Sequence, residues 1–198
     1  MKKIALLFLS LACVFAGTAA NAQEVAEKAQ ESMAASGSSP WEKYMEVGPM
    51  HKMLEASNGD WKAEITFWME PGAAPQKSTS SCTNSMILGG RYQESKHSGT
   101  VMGMPFEGQG LVGYDNIKKV FISTWVDNMG SGVMVAEGPY DEKTKSITMR
   151  GNTMDPMTGK EIKTRQVFTF IDDKTEKFEM FMNQDGKEIK SMEILYTR

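Results

Sequence analysis

Few side chains in this sequence are placed to do chemistry. The only two histidines are His51 and His97, and a catalytic or metal-binding imidazole needs a carboxylate or a second ligand beside it. His51 precedes Glu55 by one helical turn, a candidate pair, although both groups could equally face water. His97 lies in the polar stretch 94–99 and is expected at a loop mouth. Cys82 sits in the polar run 78–85 with no histidine near it in sequence, and it reads as a passive thiol. Arg91, Glu107, Tyr114, Trp125 and Asp127 form the candidate ligand-binding set, because they fall in or at the ends of consecutive strand-like segments. An Arg with a carboxylate inside a cavity would anchor an anionic head group, with Trp and Tyr as walls. The same residues could instead form a structural ion pair and core aromatics. In a catalytic reading, Glu107 or Asp127 would be the general base.

Metals and nucleotides find less support. The chain has 17 methionines, and thioethers can hold Cu(I). Met102 with Met104, and Met180 with Met182, have strand-face spacing. No His or Cys adjoins either pair, so an adaptable apolar lining is the simpler role. The stretch 183–186 hints at a calcium loop, but its first position would be Phe181 and its twelfth Met192, which fails the ligand pattern. Residues 108–113 read GQGLVG, and Asp127 follows at the distance of a ribose-binding acid. A dinucleotide site also needs a helix whose N-terminus meets the phosphates. Here the glycines run into the turn 114–116 and then an alternating strand, so they are expected to bend a strand. No cofactor and no metal site is expected.

The elements that would position these residues change character along the chain. Trp41, Tyr44 and Met45 recur at helical spacing. Gly48-Pro49 opens a second short helix with an apolar stripe at Met50, Met53 and Leu54, and Asn58-Gly59 stops it. From Trp61 onward the period is two, with Trp61, Ala63, Ile65 and Phe67 on one face. Phe121, Ser123, Trp125 and Asp127 repeat the pattern, as do Phe178, Met180 and Met182, and Met192, Ile194 and Tyr196. Turn signals recur every ten to fifteen residues with no helix between them. The expected fold is all-β, a closed antiparallel up-and-down barrel of about nine or ten strands preceded by short helices.

The first 22 residues carry Lys2 and Lys3, an apolar run from Ile4 to Ala16, and Ala20-Asn21-Ala22, the pattern of a secretory signal cleaved after Ala22. A rival reading makes Cys13 a lipid-bearing cysteine. Residues 23–40 form a polar leader and 41–198 the single barrel domain. The net charge is −3, no basic block follows the signal, and nucleic acid is not an expected partner. With Cys13 removed, Cys82 alone cannot make an intramolecular bridge, so an ordinary core must hold the domain. The expected location is the periplasm or the exterior, with no membrane-spanning segment; self-association into a homo-oligomer is left open.

Gly59-Asp60-Trp61 and the terminal Arg198 together resemble the lipocalin and calycin signature, in which an arginine packs on the indole and closes one end of the barrel. Residues 48–52, 59–61, 88–92, 106–108, 113–115 and 125–127 in order resemble the bacterial domain-of-unknown-function family numbered 1579, which is grouped with these barrels. That resemblance implies the fold and the barrel-closing pair Trp61 and Arg198, and leaves the activity open. Related nitrobindin-like barrels hold haem through a histidine near the C-terminus. The last histidine here is His97, so the resemblance supplies no haem ligand.

Three functions are compatible with this reading. The leading one is a barrel that binds a small hydrophobic or amphipathic molecule. A hydrolase or isomerase using a carboxylate in the same cavity is the second. A cell-envelope interaction protein with a filled barrel is the third, with the leader 23–44 as a docking or swapped segment.

Overall fold

Alternation decides the architecture. In β1 (Gly59–Phe67) Trp61, Ala63 and Ile65 are buried on one face, while Lys62 and Glu64 pair with each other in solvent at 2.8 Å. A strand with one apolar face has to cover it, and ten strands do so by closing on themselves. The structure, a computed structural model, describes residues 39–70, 72–184 and 186–198. The predicted signal segment 1–22 and most of the expected polar leader lie outside the described residues.

After β1 come β2 (Gln76–Ile87), β3 (Tyr92–Val101), β4 (Met104–Asp115), β5 (Val120–Asp127), β6 (Met134–Gly138), β7 (Tyr140–Asp141), β8 (Ser146–Met154), β9 (Glu161–Asp172), β10 (Thr175–Gln184) and β11 (Lys187–Thr197). Neighbours pair antiparallel, β1 also pairs with β11, and β6 pairs with β8 to close the ring. The two-residue β7 only extends the edge of β8, so the barrel has ten strands, as expected. Local chemistry makes the turns. The carboxylates of Asp115, Asp141, Asp155 and Asp172 each accept a backbone N–H two residues on. Met102 and Gly103 both have positive φ (50° and 78°), the conformation of a tight two-residue hairpin.

One end of the barrel is plugged. Before β1 comes a helix, α2 (Pro49–Ala56), itself preceded by α1 (Pro40–Met45). Leu54 of α2 packs in a buried cluster with Phe121, Ala136, Ile147 and Met149. His51 is buried, and its Nδ1 accepts the Gly48 N–H at the start of α2 (3.2 Å). The proposed partner Glu55 pairs with Lys52 in solvent instead. His51 therefore fastens the helix; burial, then the Arg91 charge, lowers its pKa. Below α2, the Trp61 indole N–H donates to Ser57 O (2.9 Å), and the Arg198 guanidinium lies 4.3 Å from the Trp61 ring centre. Arg198 also donates to the carbonyls of Ala56, Asn58 and Asp173. These bonds satisfy the end of α2. Gly59 has φ 112° and lies against the same guanidinium, a site unsuited to a side chain. The α1 segment stands as a separate unit, with Trp41 and Tyr44 exposed and their rings 5.6 Å apart.

The glycines of the GQGLVG stretch do not bend β4, whose register runs unbroken against β3 and β5. They make room. A Cβ on Gly108 would sit 2.4 Å from the Trp125 indole, and one on Gly110 would sit 2.6 Å from Ser95 Oγ and 3.4 Å from the same indole. Gly113 faces outward beneath Tyr92. No helix follows β4, so the phosphate-binding geometry is absent there.

The β6–β8 seam that closes the ring has only three residue pairs, Val135 with Asn152, Ala136 with Gly151, and Glu137 with Arg150. Gly151 stands in its middle pair and Gly138 directly follows Glu137 at its edge, and a Cβ on either would fall about 2 Å from a facing carbonyl, Val135 O at 2.1 Å or Thr148 O at 1.9 Å. Backbone cannot yield there without separating the strands. Gly151→Ala is expected to cost about 1–3 kcal/mol, read as an earlier urea midpoint. It should also speed amide exchange in β6 and β8 ahead of β1–β3. Wild-type stability in this variant would contradict the close-packed seam.

Candidate functional site

Pairing fixes which side chains point inward. Across β2, β3 and β4, Cys82 faces His97 and His97 faces Gly108, while Trp61 faces Cys82 from β1. From β9, β10 and β11, Phe168, Phe178 and Ile194 form one row, and Glu176 lies beside Tyr196. These faces surround a cavity of about 480 Å³, within the usual range for a small-molecule site. Leu54 of α2, Glu176 and Tyr196 are at its plugged end. Phe67, Met134, Met182 and Gln184 lie at the opposite end, where the strands run out to solvent.

The wall is divided. The β8–β11 side supplies Ile147, Met149, Phe168, Phe170, Phe178, Met180 and Met192, and the β2–β5 side supplies Asn84, Gln93, Ser95, His97 and Ser123. Among the described residues no Lys or Arg lines the cavity, and the two acidic residues that do are Asp127 and Glu176. Among the described residues no group of three or more His, Cys, Asp or Glu could hold a metal ion.

The candidate set is only partly brought together. Trp125 and Asp127 line the cavity, and Arg91, Glu107 and Tyr114 do not. The Trp125 indole lies over Gly108 and Gly110, donates its N–H to Asp127 Oδ2 (2.7 Å) and stacks on Phe106. The other Asp127 oxygen accepts the Met129 N–H, so this carboxylate is occupied in building the wall. Glu107 points to solvent from the opposite face of β4. Tyr114 packs against His51 and Phe121 under α2. Arg91 sits by the β2–β3 turn, where it donates to Leu88 O (3.3 Å). No arginine reaches the interior to meet an anionic head group. Of the methionine pairs, Met180 and Met182 line the cavity, whereas Met102 and Met104 are exposed.

Sequence reasoning missed the groups that carry the cavity's polarity. His97 is near the middle of β3 rather than at a loop mouth, 8% exposed, with Trp125 at 5.0 Å and Tyr196 at 5.9 Å between ring centres, both edge-on. Burial lowers its pKa to about 4, so the ring is neutral. Glu176 is buried at the plugged end and accepts a hydrogen bond from the Ser57 hydroxyl. Burial raises its carboxyl to about 7 against the pull of Ser57 and Arg198. Burial likewise pushes the Cys82 thiol up to about 12 and holds the Tyr196 phenol well above its usual range. That thiol is protonated and donates to Asn84 Oδ1 (3.3 Å), which fits a passive role. One signal could have revealed Glu176. The parity that turns Phe178, Met180 and Met182 inward, carried back two residues, turns Glu176 inward too.

The two shifted groups act on stability in opposite directions. The folded protein keeps the Glu176 proton that the unfolded chain releases from about 4.5, so stability falls as pH rises from 4.5 to about 7. The unfolded chain protonates His97 near 6.5 but the folded one only near 4, so that group makes stability rise with pH across 4 to 6.5. Glu176→Gln removes only the first contribution while retaining an acceptor for Ser57. The variant should be more stable than wild type at pH 8 by about 1–3 kcal/mol, and this gain should shrink toward pH 5. Urea unfolding at the two pH values checks this; an equal difference at both would show that Glu176 titrates normally.

Comparison with known proteins places this geometry among β-barrels. The fold is similar to the crystal structure of Rv2717c from M. tuberculosis, with a TM-score of 0.56, 14% identity, and coverage of 77% of this chain and 99% of that one. It is also similar to the S-type phycobiliprotein lyase CPES from Guillardia theta, with a TM-score of 0.52, 11% identity, and coverage of 75% and 92%. No curated protein matches the sequence. The family described as "Protein of unknown function (DUF1579)" matches residues 46–198, from just before α2 to the terminal arginine that covers Trp61, and the chain belongs to that family.

Proposed function

We propose that the barrel binds a small, uncharged and mostly apolar molecule in its interior. The observation that carries this reading is the cavity itself. About 480 Å³ is left inside a closed barrel, lined largely by phenylalanines, methionines and isoleucines and, among the described residues, by no Lys or Arg. A mostly apolar space of this size stabilises an apolar guest by removing its surface from water. Methionine side chains adapt to a guest's shape at little cost. We further propose that the mature protein works in the periplasm or outside the cell, on the strength of the signal pattern in residues 1–22.

A second reading, catalysis in the same space, has one supporting observation. Glu176 lines the cavity with a carboxyl raised to about 7, where it could exchange a proton near neutral pH. The similarity to a phycobiliprotein lyase is compatible with this reading but supports the fold alone.

Native mass spectrometry of the mature protein purified from its own compartment, followed by organic extraction, tests the binding reading. The expected result is a defined extra mass that leaves on denaturation and is recovered as a neutral organic compound. Protein that arrives bare from several preparations, and that takes up no apolar compound when challenged, would overturn it.

A further inference from the structure

We infer that His97 is the polar anchor of the cavity, and that the ligand is an uncharged molecule whose hydroxyl group, or a similar joint donor and acceptor, reaches this imidazole among apolar walls. The inference rests on the binding reading above and specifies the chemical class of guest.

His97 is buried and lines the cavity. It lies edge-on to two aromatic rings, Trp125 and Tyr196, and among the described residues neither of its ring nitrogens has a hydrogen-bond partner. Among the described residues the side-chain atoms that are both fully buried and unpaired are Asn58 Oδ1, Ser80 Oγ and Thr164 Oγ1; the unpartnered His97 nitrogens are not among them and are open to the cavity that the residue lines. The sequence places this residue between Cys82 and Gly108 on the neighbouring strands. By contrast, His51, the other histidine, has its ring nitrogen engaged at the start of α2. The free valences of His97 face the guest's space.

The chemistry of the guest follows from what surrounds the ring. A neutral imidazole offers one N–H donor and one lone-pair nitrogen. A hydroxyl complements either and can serve both in turn through rotation. A carboxylate guest would need a cation in the wall, and none lines the cavity. It would also share the space with Glu176, whose own ionisation burial already opposes. A metal ion is a poor fit, since a ligating histidine ordinarily donates its second N–H to a protein acceptor that holds the ring in place. Tyr196, which also lines the cavity, has its ring centre 5.9 Å from that of His97.

Calorimetric or fluorescence titration with naphthol, naphthalene, naphthoate and naphthylmethylammonium tests the inference at neutral pH. Naphthol is expected to bind at least about tenfold more tightly than naphthalene, the equivalent of one good hydrogen bond, with both ions weaker than naphthol. His97→Phe should reduce naphthol to the level of naphthalene while leaving naphthalene binding unchanged. Should that variant fail to fold, imidazole NMR of the wild type supplies the same answer. With only two histidines in the chain, the His97 nitrogens must shift on adding naphthol while those of His51 stay put. Equal affinity for naphthol and naphthalene, or strongest binding by either ion, would overturn the anchor while leaving the cavity reading intact. Failure of every probe to bind would overturn the cavity reading and the anchor with it.

Discussion

A closed sheet of ten strands encloses more space than an eight-stranded one, whose interior side chains can just fill it. This constraint governs the rest of the molecule. The barrel must fill the excess with bulky side chains, cap it, or leave it open to a guest. The chain does the first two at one end and the third along the remaining length. Leu54 and the buried cluster around Phe121 fill the space under α2. Trp61, tied to Ser57 and covered by Arg198, seals the boundary between helix and strands. Beyond Glu176 and Tyr196 no comparable plug follows among the described residues, and the cavity opens.

The cavity's electrostatic character follows from the same geometry. Low-dielectric walls favour neutral forms, and each buried ionisable group responds as that predicts. His97 loses its proton, while Glu176, Cys82 and Tyr196 hold theirs more tightly. His97, Cys82 and Tyr196 are therefore neutral near physiological pH, and Glu176 is partly protonated there. Charges are kept outside, where Lys190 bridges Glu179 and Glu193, and Arg165 meets Glu188. On the proposed binding reading, a barrel built in this way would select against charged guests through desolvation rather than through contact.

Much of the fold was legible because hydrophobic contrast was strong where it mattered. The inward parity of Trp61, Ala63, Ile65 and Phe67, and of Phe178, Met180 and Met182, survives into the structure, and the aspartate turns sit where the sequence places them. The site was less legible for the opposite reason. In β2 and β3 both faces are polar, so nothing in the run 78–85 or 94–99 shows that Ser80, Cys82, Asn84 and His97 turn inward. The glycines of β4 misled in a related way. Their role is set by an indole lying across them from the next strand, a contact between residues some fifteen positions apart that strand periodicity does not reveal. Arg91 and Glu107 drew attention by chemical type, but a turn and the outer face of a strand remove them from the interior.

Methyl-labelled methionine NMR with naphthalene as a neutral probe tests most directly whether the interior is an accessible apolar cavity. The account predicts saturable shifts at Met134, Met149, Met180, Met182 and Met192, which line the cavity, and none at the exposed Met102, Met154 and Met157. Shifts confined to the exposed methionines, or no shift at the interior ones up to the solubility limit of the probe, would mean that the barrel is closed or filled and would contradict the account.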